Sequence, residues 1–160
     1  MSAVLHVVYG KPAAGKSTLT AALGAQAGTV VVSEDAWLAA LFGDRLTTLR
    51  DYREASGRLC AAMGPHISAL LAEGLSVVLD FPANTREMRT WMRETAGEGR
   101  GEAVLHVLDV PDVVCLERLR ARNASGTHPF TLSETQFHQI VAHLEPPAED
   151  EGFALRPHPI

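Results

Sequence analysis

The stretch Gly10-Lys11-Pro12-Ala13-Ala14-Gly15-Lys16-Ser17 decides the fold. It matches the pattern G-x-x-x-x-G-K-[ST] at Gly10, Gly15, Lys16 and Ser17, and its surroundings match as well. Ahead of it Ala3–Tyr9 is β-rich and apolar; behind it Leu19, Ala22, Leu23 and Ala27 recur at helical spacing until Gly28. A strand, a glycine loop and a helix in this order form a cradle for phosphate. The glycines let the backbone curl into a nest of N–H donors, and the helix offers its positive end. In such a cradle Lys16 reaches the phosphates and the Ser17 hydroxyl is a candidate Mg²⁺ ligand. Every residue from Gly10 to Ser17, with the adjoining Thr18, is therefore an expected phosphate contact.

Working outward, the same alternation continues. Thr29–Ser33 is a second β-branched run, and Ser33-Glu34-Asp35 leads into an apolar helical stretch from near Trp37. From about Asp44 to Glu73, the spacing of Leu46, Leu49, Leu59, Met63, Ile67, Leu70 and Leu71 predicts long helical structure, bent or broken at Gly64-Pro65 and ended by Gly74. Leu75–Leu79 and Ala103–Leu108 read as buried strands finished by Asp80 and Asp109, with a helix around Arg86–Thr95 between them. Pro111 suits the first turn of a helix running to about Asn123. Thr131-Leu132-Ser133-Glu134 reads as a capping box ahead of Phe137, Ile140, Val141 and Leu144, with Pro146-Pro147 as the stop. Phe153–His158 would be a last strand, at an edge because of its proline content. Strands alternating with helices imply an α/β fold with a parallel sheet covered on both faces, whose ligands gather beyond the carboxyl ends of the strands. Gly10, Asp35, Asp80 and Asp109 would share that rim.

Composition narrows the partners. The 160 residues suit one domain, and neither a repeat nor a linker marks a boundary within 1–160. No run approaches the roughly 18 apolar residues of a membrane helix, and the N-terminus lacks an export leader, so a soluble cytoplasmic protein is expected. A net charge of −5 opposes polyanionic partners such as nucleic acid, although Arg118, Arg120 and Arg122 form one basic cluster. Cys60 and Cys115 fall in apolar helical patterns and read as buried thiols. The seven histidines are scattered without the spacing of a zinc site, so no protein-held transition metal is expected.

Three candidate roles stay open on pattern alone. Asp80 and Asp109 are equally suited to help hold Mg²⁺, and either could be an ordinary turn aspartate. Asp35 could take a proton from an attacking hydroxyl, or with Glu34 could serve the first turn of a helix. Arg118 and Arg122, four apart, share a helical face and could clamp phosphates, or pair on the surface with Glu117 or Glu102. The segment 124–130 would belong to a closing lid around 118–135.

These residues resemble a known group. Gly10–Ser17, Ser33 with Asp35, Leu79-Asp80 followed by Asn84, Arg86 and Trp91, Cys115-Leu116-Glu117-Arg118 with Arg122, and Glu145-Pro146-Pro147 followed by Glu151-Gly152-Phe153 look like the P-loop kinases related to zeta toxin, polynucleotide 5′-kinase and chloramphenicol phosphotransferase. The resemblance covers most of the chain. It implies a three-layer α/β/α fold with a five-stranded parallel sheet of order 2-3-1-4-5, ATP with Mg²⁺ as phosphoryl donor, and a hydroxyl acceptor. It would make Lys16, Asp35 and Arg118 catalytic, Arg118 and Arg122 nucleotide-binding lid arginines, and Ser17 and Asp80 the metal-side residues. Some relatives carry a substrate-binding arginine three residues after the aspartate; here Leu38 stands there, which favours a small-molecule hydroxyl acceptor over a phosphorylated or nucleic-acid one. Trp37 offers an apolar contact or a core side chain. A regulatory ATPase and a polynucleotide 5′-hydroxyl kinase are the competing expectations; no guanine-reading Asn/Thr-Lys-x-Asp follows the fourth strand.

Overall fold

The computed structural model describes residues 2–126 and 131–159. Five strands form one wholly parallel sheet: β1 (Val4–Gly10), β2 (Thr29–Ser33), β3 (Ser76–Asp80), β4 (Glu102–Leu108) and β5 (Ala154–His158), in the order β2-β3-β1-β4-β5. This is the expected order. The helices are α1 (Lys16–Gly24), α2 (Glu34–Phe42), α3 (Leu49–Ala72), α4 (Arg86–Glu98), α5 (Asp112–Ser125) and α6 (Glu134–Ala142). Central strands buried on both faces need apolar residues at successive positions, and β3 supplies them with Val77, Val78 and Leu79. On one face Leu5, Val7, Val77 and Leu105 pack against Leu59, Met63 and Ile67 of α3 and Met92 and Ala96 of α4. On the other, Val8 and Leu108 meet Cys115 and Leu119 of α5 and Phe137 of α6.

Three local expectations are corrected. Helix α3 is continuous through Pro65, because its buried side, including Gly64, packs closely on Trp91 of α4 and this tertiary contact outweighs the lost hydrogen bond. The capping box of α6 is Ser133 with Gln136, two residues later than Thr131 with Glu134, since Ser133 is the residue with extended backbone just before the helix. Helix α2 begins at Glu34 rather than near Trp37, with Ser33 as N-cap accepting from the Ala36 N–H. Trp37 is consequently exposed, at 39%, while Leu38 enters the core.

A buried ion pair fixes the C-terminal segment. The Arg89 side chain, 1% exposed, donates from Nε to Glu151 Oε1 at 2.7 Å and from Nη2 to Oε2 at 3.1 Å, while Nη1 donates to the Ala83 carbonyl. The arginine lies at the same helical spacing as Met92 and Ala96, a charge written into an apolar face. Glu151→Ala leaves that guanidinium buried without its carboxylate, so a loss of about 3–5 kcal/mol is expected in urea unfolding. Hydrogen bonding from Arg89 first holds the Glu151 carboxyl below the usual range. Its contribution is therefore complete above the unfolded carboxylate pKa and fades as pH falls through the lower folded value. A destabilisation under about 1 kcal/mol would show the pair to be energetically idle.

Candidate functional site

The loop after β1 has the conformation its sequence demands. Gly15 sits at φ 106°, where a side chain is strained, and a Cβ on Gly10 would lie 3.1 Å from that of Leu108. Ala13 also has positive φ, at 63°. The resulting curl places Gly15 as the N-cap of α1 and leaves Ser17 and Thr18 exposed in its first turn. Lys16 Nζ folds over the loop, donating to the carbonyls of Gly10 at 2.7 Å and Lys11 at 2.8 Å. Lys11 points elsewhere: its Nζ pairs with Asp112 at 2.7 Å and donates to the Val110 carbonyl, tying the loop to the start of α5.

One cavity of about 360 Å³ collects residues from four elements. Lys16 and Ser17 of the loop and α1, Glu34 and Asp35 of α2, and Asp80 at the end of β3 all line it. Asp80 and Asp35 thus face the same space, whereas Asp109 is not among its lining residues. Burial first, and the Asp35 carboxylate second, raise the Asp80 pKa, with Lys16 opposing them. Two carboxylates crowded in this way favour a divalent cation. Among the described residues no cluster of three or more His, Cys, Asp or Glu makes a complete metal cage.

Asp35 stands both in the first turn of α2 and on the cavity wall. Its neighbour Glu34, a helix-start acid by pattern, is 2% exposed and accepts hydrogen bonds from Tyr52 and, at 2.8 Å, from Ser56 Oγ. This anchors the start of α2 to α3.

On the other side of the loop, Arg118 and Arg122 line a second cavity with Gly15, Lys16, Ser17 and Thr18. Arg118 Nη1 donates weakly to the Ala14 carbonyl at 3.3 Å, and the buried Nε of Arg122 has no partner among the described residues. Arg120, on the other face, pairs instead with Glu134 at 2.5 Å. Of the expected lid at 118–135, positions 127–130 lie outside the described residues. After α6 the chain returns to the sheet: the Glu145 N–H donates to the Asn84 carbonyl, and its carboxylate accepts from the Arg86 N–H.

Burial lowers the Lys16 pKa to about 8. The protonated amine is the form that meets phosphate, so ATP affinity is expected to hold below about pH 8. Above it, affinity falls by a factor approaching about tenfold per pH unit as the free protein loses the proton. Calorimetric titrations between pH 7 and 9.5 check this, with Lys16→Arg as a non-titrating control. Equal dependence in the two proteins would remove Lys16 as the cause.

Comparison with known proteins agrees with this geometry. The AAA domain family profile matches residues 5–147. Among solved structures, a candidate kinase from Chloroflexus aurantiacus aligns at TM-score 0.74 and 20% identity, over 98% of this chain and 85% of that one. Chaetomium thermophilum Kti12, in complex with ADP-AlF3, aligns at 0.70 and 20%, over 96% and 88%. The Pnkp1/Rnl/Hen1 RNA repair complex aligns at 0.63 and 20%, over 89% of this chain but 44% of that one. No curated protein sequence matches the chain. With its profile match spanning most of the sequence and its five-stranded 2-3-1-4-5 sheet, the chain belongs to the AAA domain family and has the P-loop kinase fold.

Proposed function

We propose that the protein is an ATP-dependent phosphotransferase that moves the γ-phosphoryl group to a hydroxyl of a small, uncharged molecule. The observation that carries this reading is the single cavity in which the loop residues Lys16 and Ser17 meet Asp35 and Asp80. A phosphate cradle, a metal position and a proton acceptor then lie within one small volume, which is what transfer to a hydroxyl requires. Bound together with the nucleotide, Mg²⁺ would supply charge neutralisation for the transfer. Lys16 exchanges its two loop carbonyls for phosphate oxygens. Ser17 and Asp80 would hold the metal, directly or through water. Arg118 and Arg122 approach from α5 and oppose charge developing on the transferred group, while Asp35 orients the acceptor hydroxyl and takes its proton.

The charge of the acceptor side favours a small neutral acceptor over a polynucleotide. Apart from Lys16, the described residues lining the cavity include no cation, and Phe81, Pro82, Ala83 and Asn84 offer an apolar and amide wall. Two arginines of α4 are engaged elsewhere, Arg86 with Asp150 at 3.0 Å and Arg89 with Glu151. A polyanionic strand would find carboxylates where it needs Lys and Arg. The reading is tested by a panel of sugars, nucleosides and antibiotic-like alcohols incubated with ATP and Mg²⁺ and examined by mass spectrometry for a phosphorylated product. A single-stranded oligonucleotide serves as the competing acceptor, and its preferential phosphorylation would overturn the small-molecule reading.

The metal side makes its own prediction. Ser17→Ala should raise the Mg²⁺ concentration needed for half-maximal turnover, and Asp80→Asn should damage Mg²⁺-dependent turnover more than Asp109→Asn does. The reverse order for the aspartates would move the metal to the end of β4.

A further inference from the structure

Three histidines that the loop chemistry does not use lie together on the sheet. His6 of β1, His106 of β4 and His158 of β5 form a row across adjacent strands, although they are 100 and 52 residues apart in sequence. Nδ1 of His6 lies 2.9 Å from Nε2 of His106, and Nδ1 of His106 lies 2.8 Å from Nε2 of His158. Ring centroids are 5.2 and 5.0 Å apart, so the rings are in contact as well as hydrogen bonded. His106 is 6% exposed and uses both of its nitrogens within the row.

A neutral imidazole has one donor and one acceptor, so the hydrogen bonds of such a row must all run in the same sense. In one sense His6 donates to His106 and His106 to His158, which leaves the His158 proton on its outer nitrogen, Nδ1. In the other sense every proton sits on Nε2, and the outer Nδ1 of His158 is an acceptor. Burial, reinforced by the flanking imidazoles and Arg156, lowers the His106 pKa to about 4, so the central ring is neutral near pH 7. Reversing the row then changes the hydrogen-bond sense at its end without burying a charge.

That end reaches a ligand space. His158 lines a cavity of about 540 Å³ together with Ala13, Gly15 and Thr18 of the phosphate loop and α1, Leu108 of β4, and Arg118 of α5. Gly15, Thr18 and Arg118 also line the phosphate cavity, so the two spaces adjoin, and the volume suits a nucleoside. Among the described residues Nδ1 of His158 has no hydrogen-bond partner.

We propose that His158 reads the base of the bound nucleotide through Nδ1, and that the row behind it, running in either sense, lets that nitrogen meet a donor or an acceptor on the base. The inference rests on the nucleotide-binding reading above. A site with a fixed donor rejects a base presenting another donor, because a buried polar group is then left unpaired. A reversible row avoids that penalty. Purine nucleoside triphosphates with a 6-amino or a 6-oxo group are therefore both accepted, with dissociation constants for ATP and GTP within about tenfold of each other. His158 is the contact; His106 and His6 are positioning residues.

The test is a long-range ¹H–¹⁵N spectrum of the histidine rings in the native protein, recorded free, with Mg²⁺–ATP and with Mg²⁺–GTP, alongside the backbone amides of Gly15 and Lys16. The expected result is that both nucleotides shift the loop amides and all three imidazoles, with the two His106 nitrogens exchanging protonated and unprotonated signatures between ATP and GTP. His158→Ala is expected to weaken both nucleotides by roughly 2- to 10-fold. His6→Gln, at the far end of the row, is expected to alter the His158 ring signals without touching the nucleotide. Loop amides that respond while the imidazoles stay unchanged would overturn the inference and leave the nucleotide reading standing, as would discrimination between ATP and GTP beyond about tenfold. Silence from the loop amides as well would remove the nucleotide reading and the inference together.

Discussion

Lys16→Ala is expected to lower phosphoryl transfer by at least roughly 10²- to 10³-fold, the scale of losing one preorganised charge-stabilising donor. Lys16 is the cation whose amine lies over the loop, 2.7 and 2.8 Å from two loop carbonyls that it would exchange for a β- or γ-oxygen. Lys11 cannot substitute for it, because its amine is held by Asp112 and the Val110 carbonyl. The side chain takes part in no hydrophobic cluster, so the variant should remain folded and its thermal midpoint close to the parent's. Turnover and thermal unfolding measured on the same preparation check this. Near-parental turnover in a folded Lys16→Ala protein would remove the loop from the chemistry.

Asp35→Asn carries the second large effect. It preserves size and shape but removes charge and basicity, so transfer should fall by roughly 10²-fold or more, with ATP–Mg²⁺ affinity nearly unchanged. Asp35 also stands in the first turn of α2, where its charge favours the helix dipole; that contribution is limited to about 1 kcal/mol. The two roles therefore separate in one set of measurements. A catalytic Asp35 gives a large loss of turnover with a small change in thermal midpoint, while a purely structural one gives the small change alone. Ser33 already caps α2 and Glu34 anchors it to α3, so the helix start does not depend on Asp35.

The phosphate loop was legible because its chemistry is written in consecutive residues, and the strand order followed once that loop was placed in a resembling family. Asp35 and Asp80 could be nominated because both follow apolar β-branched runs, but pattern alone left Asp80 level with Asp109 and only the family resemblance favoured Asp80. Which of the two opens onto the cavity of Lys16 is a property of strand order, and it is Asp80 that does. The histidine row was illegible for a related reason. His6, His106 and His158 are isolated in sequence and meet only through parallel pairing of β1 with β4 and of β4 with β5. Arg89 was a missed signal rather than a hidden one, since a charge three residues before Met92 and seven before Ala96 implies a buried partner. Pro65 misled because local backbone chemistry argues for a break, and only packing on α4 reverses that preference.

The central claim is that the γ-phosphoryl group goes to a hydroxyl rather than to water. It is tested most directly by following γ-labelled ATP through one turnover of the Mg²⁺-loaded protein, first alone and then with the acceptor found in the panel, counting label on the acceptor and in inorganic phosphate. Slow release of phosphate alone, replaced on adding acceptor by fast transfer of nearly all label to its hydroxyl oxygen and abolished in Lys16→Ala, is the predicted result. Label that appears in inorganic phosphate at the same rate with and without any hydroxylated compound would contradict it and make the protein a nucleotide hydrolase.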